Sequence, residues 1–143
     1  QLTAEHIDLH LANKKLHYIV MISSSFIISQ QDSIRYDQIK GKNMTGHFTN
    51  NKLVRIDVKG NGQTIYYAED QGELIGINRA ESSDLIIYLQ DSKINRINLI
   101  LAPKATLYPP DGSEEIETML KGFIWLEKFR PLSKEDIFVW ERD

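Results

Sequence analysis

Apolar and polar residues alternate on both sides of a short phrase that occurs three times along the chain. Each copy has an Asn or Asp two residues before a Lys, a Leu or Ile directly after that Lys, and an Ile four residues after it. The copies are Asn13–Ile19, Asn50–Ile56 and Asp91–Ile97. Apolar residues at every second position predict strands with one buried face, because successive strand residues point to opposite faces. Asn and Asp tolerate the left-handed backbone of tight turns, so each copy predicts two strands joined by a hairpin turn.

The three copies lie about 40 residues apart, a spacing typical of a repeated supersecondary unit. Aligned on the Lys, the apolar positions share one phase before and after the turn in every copy, which argues against a chance match in an Ile-rich chain. The positions predicted to face inward are Ile7, Leu9, Leu11, Ile19 and Met21, then Phe48, Ile56 and Val58, then Leu85, Ile87, Leu89, Ile97 and Leu99. The positions between them are mostly polar, as expected for a solvated outer face.

Further strands are predicted between the repeats. They are Ser24–Ser29, Ser33–Ile39, Gln63–Ala68, Leu74–Asn78 and Ala105–Tyr108, with Gly60–Gly62 as a turn between strands. Consecutive hairpins of this length predict an all-β sandwich, jelly roll or solenoid. We assign residues 1–112 to this β domain and residues 113–143 to a C-terminal tail that packs on the sheet. Short helices are predicted at Glu114–Leu120 and from Ser133, where Ser133–Asp136 resembles a capping box.

Composition narrows the classes of function. The formal net charge of −3 argues against a nucleic-acid binder, which usually presents a basic face. The absence of cysteine excludes thiolate catalysis, Cys-ligated zinc and disulfides. The longest apolar stretch, Tyr18–Ile28, is interrupted by three serines and is too short to span a bilayer, so no membrane-spanning segment is expected.

Candidate chemistry is sparse. The four histidines have no zinc-ligand spacing, the acids form no evident catalytic pair, and Gly60–Gly62 lacks the Lys-Ser/Thr ending of a phosphate loop. We therefore expect no catalytic residues, no metal site, no cofactor and no enzymatic activity. The aromatic residues Phe123, Trp125 and Phe129 could plug one end of the core or contact a ligand, and the plug is the simpler interpretation.

A family resemblance adds to this pattern. Residues Gly41–Phe48, with a Met, a spaced Gly and an aromatic, precede the turn Asn50-Asn51-Lys52 and a strand ending Val58-Lys59-Gly60-Asn61. This order resembles the recurring signature of the OstA-like (LptA-like) family of lipopolysaccharide-transport proteins, most closely its Bacteroidetes members. The resemblance covers most of the chain, continuing through Gln63–Ala68, Gly76–Glu81, Ala105–Pro109, Leu120–Trp125 and Arg130–Phe138.

The resemblance implies a partly open β-jelly roll whose apolar interior shelters the acyl chains of lipopolysaccharide, through its lipid A part. The thirteen inward residues given above would then form the lipid-binding groove. It also implies head-to-tail edge-strand stacking with other OstA-like domains, and a periplasmic location, either free or associated with the outer membrane. The chain further looks like the C-terminal piece of a larger bridge protein.

Two other functions fit the same strands. A structural or protein-interaction β-sandwich would have a closed core, bind no lipid and act through edge-strand pairing. A hydrolase or sugar-binding jelly roll would need polar side chains that converge on a concave face, and the predicted inner face has almost none.

Overall fold

Eight antiparallel strands make up most of the part of the chain that the structure describes. The computed structural model describes residues 1–91, 93–112 and 117–135. The strands are β1 (Leu2–Thr3), β2 (His6–Ala12), β3 (Lys15–Gln30), β4 (Tyr36–Thr49), β5 (Lys52–Asp70), β6 (Glu73–Gln90), β7 (Lys93–Ile100) and β8 (Lys104–Tyr108). The predicted all-β, partly open jelly-roll-like class is confirmed, because the strands form one open antiparallel sheet that does not close on itself.

The sheet is built from four long strands with short strands at its edges. Its order is β1-β3-β4-β5-β6-β7, with β2 also paired to β3 and β8 also paired to β6. Every pairing is antiparallel, and all except those of β1 and β8 join strands that are neighbours along the chain. Consecutive hairpins therefore account for most of the fold, as the repeated phrase predicts.

The tight turns have the backbone that their residues favour. Both central residues have positive φ at Asn13-Lys14 (51° and 63°), Asn50-Asn51 (51° and 61°) and Gln71-Gly72 (51° and 81°). This is the pattern of a type I′ turn, whose twist matches that of the flanking strands. In the third repeat Asp91 has φ 52°, and Ser92 lies outside the described residues.

The repeated phrase also contains a bulge. In each copy the register shifts by one residue two positions after the Lys, so His17, Val54 and Asn95 are left without a cross-strand partner. A bulge reverses the alternation of side chains beyond it. The apolar residue after the Lys and the Ile four positions after it consequently face the same side. Leu53 pairs with Phe48, for example, while Ile56 pairs with Gly46.

A second row of bulges crosses the middle of the long strands. Register shifts fall between Ile22 and Ser25, between Lys40 and Asn43, and between Lys59 and Gly62. The prediction that Ser24–Ser29 forms a strand separate from the first repeat is therefore wrong. Ser24–Ser29 continues the second strand of that repeat, and the two together make up β3. The predicted turn at Gly60–Gly62 is also wrong: Gly60 (φ 88°) and Asn61 (φ 50°) form a bulge inside β5.

Polar side chains replace the ladder hydrogen bonds that these bulges interrupt. Asn43 Oδ1 accepts the Ser23 N–H at 3.0 Å, and Asp84 Oδ1 accepts the Gly60 N–H at 3.1 Å. The Ser25 hydroxyl donates to the Lys42 carbonyl at 3.0 Å. Because buried backbone groups need partners, these side chains allow the strands to bend without leaving such groups unsatisfied.

The bend divides the sheet into two layers. We call residues 6–22, 43–59 and 84–100 the repeat half-sheet, and residues 2–3, 25–41, 62–82 and 104–108 the distal half-sheet. Their facing inner surfaces share one core, which contains Ile19, Met21, Ile27, Ile39, Met44, Ile56, Val58, Leu85 and Ile87. The two half-sheets therefore pack face to face. The row of bulges forms the bend between them, which we call the crease.

The C-terminal segment covers the outer surface of the distal half-sheet. Leu120 is buried there against Phe26, Ile28 and Ile65, with Phe123 at the edge of the same cluster. Polar side chains of the sheet hold the segment's backbone, since Gln38 Nε2 donates to the Thr118 carbonyl (2.7 Å) and Gln38 Oε1 accepts the Leu120 N–H (2.8 Å).

The predicted helices of the tail are mostly not observed. Residues 117–120 are not helical, and residues 114–116 lie outside the described part of the chain. The described part of the tail instead has a 3₁₀ turn at Glu127–Phe129, and Glu135, within the helix predicted from Ser133, also has 3₁₀ backbone. Asp136, which would complete the predicted capping box, also lies outside the described residues. Over residues 117–126 the segment has no helix, and the side chains of Gln38, Lys40 and Arg79 bind its backbone groups.

Candidate functional site

An apolar cavity of about 720 Å³ lies between the two half-sheets, on the side opposite the crease. Leu53, Ile56, Leu89 and Ile94 of the repeat half-sheet form one wall, and Leu2, Ile27 and Ile39 of the distal half-sheet form the other. This volume lies within the range of pockets that enclose a small ligand. The cavity is open to solvent at the mouth, so we call it the groove.

The structure divides the thirteen predicted inward residues into three groups. Six are buried in the shared core: Ile19, Met21, Ile56, Val58, Leu85 and Ile87. Four are partly buried against that core: Phe48, Leu89, Ile97 and Leu99. Of all thirteen, Ile56 and Leu89 line the groove itself.

The remaining three residues are Ile7, Leu9 and Leu11. Their alternation predicts that they are buried, and this prediction is wrong. Ile7 pairs with Met21 and Leu9 with Ile19, so the predicted phase places them on the inner side. Their exposed fractions are nevertheless 37%, 63% and 69%. The reason is topological, since β2 is an edge strand and its counterpart in the distal half-sheet is the two-residue β1.

A buried acidic side chain interrupts the apolar walls. Asp37 lines the groove beside its cross-strand partner Ser29, and only 7% of its surface is exposed. The backbone pairing of β4 with β5 ends at Gln38, and the Asp37 Oδ1 atom accepts the N–H of Tyr67 at 2.9 Å. Burial raises the pKa of Asp37 to about 6, against the opposing effect of that hydrogen bond.

The C-terminal segment reaches the mouth of the groove. Trp125 and Phe129 line it, and the indole N–H of Trp125 donates to Glu127 Oε2 at 2.7 Å. The side chain of Gln1 fixes this segment by donating to the Ile124 carbonyl (2.7 Å) and accepting the Leu126 N–H (2.9 Å). The predicted aromatic plug is thus divided between two places. Phe123 and Trp125 pack on the outer cluster, where both contact Tyr36, and Trp125 and Phe129 line the groove.

An ion pair joins the tips of the two half-sheets. Lys93 Nζ, at the start of β7, lies 3.5 Å from Glu69 Oε2, near the end of β5. Both side chains are more than one-third exposed, so the pair contributes little to stability by itself. It does show that the ends of strands on opposite sides of the crease approach one another.

Several groove residues were not predicted from the sequence. Leu53 and Ile94 follow the Lys of the repeat directly, and the bulge turns them inward against simple alternation. Ile27 and Ile39 lie beyond the crease, where the alternation restarts in a new phase. The apolar residue that follows each Lys of the repeat could have identified Leu53 and Ile94. No sequence pattern indicates that Asp37 is buried, because its burial depends on the fold of the sheet.

Comparison with known proteins identifies no relative. No protein-family profile matches the chain, no curated protein is significantly similar to it, and no solved structure matches its fold significantly. Within residues 1–91, 93–112 and 117–135, no three His, Cys, Asp or Glu side chains cluster so as to hold a metal ion. The same residues include no helix long and apolar enough to cross a membrane.

Proposed function

We propose that this chain is a non-enzymatic lipid-binding module of a lipopolysaccharide export bridge in the periplasm. In this proposal the groove shelters acyl chains of the lipid, and the family resemblance supplies the identity of that lipid. The observation that carries the proposal is the open apolar cavity of about 720 Å³ between the half-sheets. A closed sandwich would have filled that space with side chains, since protein interiors pack without large voids.

The energetics of the groove suit an acyl chain. Each methylene that leaves water for an apolar wall contributes about 0.8 kcal/mol, so a chain needs no polar chemistry to bind. The open mouth would let a large polar headgroup stay in solvent while the chains enter.

A hydrolase or sugar-binding site would instead need several polar groups held inside the groove. The polar residues that line it are Thr3, Ser29, Gln30 and Asp37 of the strands and Gln1, Glu127 and Arg130 of the terminal segments. Of these seven, Asp37 is buried and the others are partly or fully exposed. One buried carboxyl among apolar walls favours a lipid over a sugar.

Photo-crosslinking can test the groove. A benzoylphenylalanine placed at Leu89, which lines the groove, should label added lipopolysaccharide strongly. The matched control is the same residue at Tyr88, which is the preceding residue and lies on the outer face between Arg55 and Arg96. Mass spectrometry of the adducts gives the readout. Equal labelling at both positions, or none at Leu89, would contradict the groove as the lipid site.

The exposed edge of the repeat half-sheet also supports edge-strand stacking with other domains of the same fold. Among the described strands β2 pairs with β3 alone, and its inner-side residues Ile7, Leu9 and Leu11 are exposed. An unpaired edge is a template for another strand, and an added strand could cover the exposed apolar residues on the inner side of β2. This second proposal is compatible with lipid binding and also fits a pure interaction module.

Leu9→Lys should weaken such stacking by about tenfold, because the interface would have to bury an unpaired ammonium group. His10→Lys is the control, since His10 is exposed on the opposite face of the same strand. Sedimentation velocity across a range of protein concentrations measures the self-association. A wild-type chain that stays monomeric throughout would rule out stacking between copies of this chain.

A further inference from the structure

We infer that Asp37 selects the ligand of the groove: an apolar chain that carries an uncharged hydrogen-bond donor, such as a hydroxyl or amide N–H, near the mouth. This inference rests on the proposed function, because it assumes that an apolar chain enters the groove. It narrows the ligand class from plain hydrocarbon to a chain with a polar substituent at one defined depth.

The geometry leaves Asp37 with an unused acceptor. Its Oδ1 atom accepts the Tyr67 N–H, and this is the one hydrogen bond that the structure gives the carboxyl among the described residues. An ionised carboxylate has two oxygens and about four lone-pair sites, so most of its capacity stays available. The side chain is more than nine-tenths buried and lines the groove. A ligand in the groove is therefore in a position to bind it.

The charged side chains around the groove already have partners. Glu69 and Lys93, which face Asp37 from β5 and β7, lie 3.5 Å apart. Glu127 and Arg130, which line the mouth, lie 3.7 Å apart. No side-chain cation in the described part of the chain forms an ion pair with Asp37 itself. An ammonium group would have to lose its hydration shell to reach Asp37 between the apolar walls, which costs more than the desolvation of a hydroxyl or an amide, so an uncharged donor is favoured.

Two probes with equal numbers of non-hydrogen atoms test the inference: dodecan-1-ol, which can donate a hydrogen bond, and methyl undecyl ether, which cannot. Trp125 lines the groove and reports binding by fluorescence once the other tryptophan is removed by Trp140→Phe. At pH 8 the Asp37 carboxylate can only accept, so the wild-type groove should prefer the alcohol by about tenfold or more.

Two changes should remove this preference. In Asp37→Asn the amide keeps an acceptor for the Tyr67 N–H and points an NH₂ donor at the ligand, which serves the alcohol and the ether alike. At pH 5 the protonated carboxyl of the wild type can also donate to either probe. Asp32→Asn makes the same chemical change outside the groove and should leave the preference intact.

Each outcome separates this inference from the proposed function. Equal affinity of the wild type for both probes at pH 8 would overturn the role of Asp37 and leave the apolar groove standing. Binding of neither probe would overturn the groove as a lipid site. Tighter binding of dodecylammonium than of dodecan-1-ol would overturn the assignment of an uncharged donor.

Discussion

Replacing Asp37 with Asn should stabilise the folded protein by at most about 3 kcal/mol at pH 8 and change its stability little at pH 4. The substitution keeps the shape of the side chain and an acceptor for the Tyr67 N–H, which Asp37 binds at 2.9 Å. It removes the ionisation of a group that is only 7% exposed. Urea denaturation of both proteins at pH 4, 6 and 8 provides the measurement.

The expected pH dependence follows from the direction of the pKa change. Burial raises the pKa of Asp37 from 3.8 to about 6 in the folded state, so the folded protein holds this proton more tightly than the unfolded chain. Stability from this group is fully present below pH 3.8 and is lost as the pH rises to about 6. At about 1.36 kcal/mol per pH unit, this range corresponds to the maximum of about 3 kcal/mol.

Asp32→Asn is a matched control, and its effect on stability at pH 8 should have the opposite sign. Asp32 is exposed and accepts the backbone N–H groups of Ile34 (2.9 Å) and Arg35 (2.8 Å), and these bonds hold its pKa below the ordinary value. Its replacement should therefore lower stability at pH 8. A stability difference between wild type and Asp37→Asn that does not vary with pH would contradict the buried carboxyl described here.

Gly41→Ala should destabilise the protein by about 1–3 kcal/mol, because the inner face has no room for a methyl group at the crease. A Cβ on Gly41 would overlap Val58 Cγ1. Val58 is itself fully buried in the shared core, so it cannot move aside without disturbing its neighbours. Denaturant unfolding of the single variant gives the cost.

The same substitution at Gly46, on the same strand, is the matched control. The nearest atom to a Cβ on Gly46 is Leu53 Cδ1, at 3.0 Å. Leu53 lines the open groove, so the end of its side chain has space into which it can move. Gly46→Ala should therefore cost clearly less than Gly41→Ala. Equal costs at the two positions would show that the crease is no tighter than the rest of the inner face.

A double-mutant cycle with Val58→Ala identifies the cause of the cost at Gly41. Val58→Ala alone should cost about 2 kcal/mol through the cavity that it leaves. If the two side chains compete for the same space, the double variant should lose less stability than the two single variants together. Strict additivity would contradict a direct clash between the added methyl group and Val58.

Asp37 and Gly41 make different contributions to the groove. The glycine at the crease leaves room for Val58 between the half-sheets. The buried carboxyl is expected to lower stability once it ionises, and buried carboxyls with a raised pKa are common at binding sites. Stabilisation in Asp37→Asn together with loss of alcohol preference would show that one side chain is responsible for both effects.

Local signals in the sequence were enough to predict the strands of the repeat half-sheet. Alternating apolar residues and the turn pairs Asn13-Lys14 and Asn50-Asn51 are such signals, because side-chain alternation and left-handed turn residues act within a few positions. For the same reason the phase of Ile19, Ile56 and Ile97 could be predicted correctly. Whether these residues bind lipid stays a prediction.

The bends of the strands and the accessibility of their apolar residues depend instead on contacts between residues distant in sequence. The bulges at Ser23 and Gly60 need side chains from neighbouring strands, Asn43 and Asp84, that accept the displaced N–H groups. The exposure of Leu9 depends on how little of the opposite half-sheet covers it. No local pattern encodes either property. The buried carboxyl of the groove has the same origin, because its environment is assembled when one sheet folds onto itself.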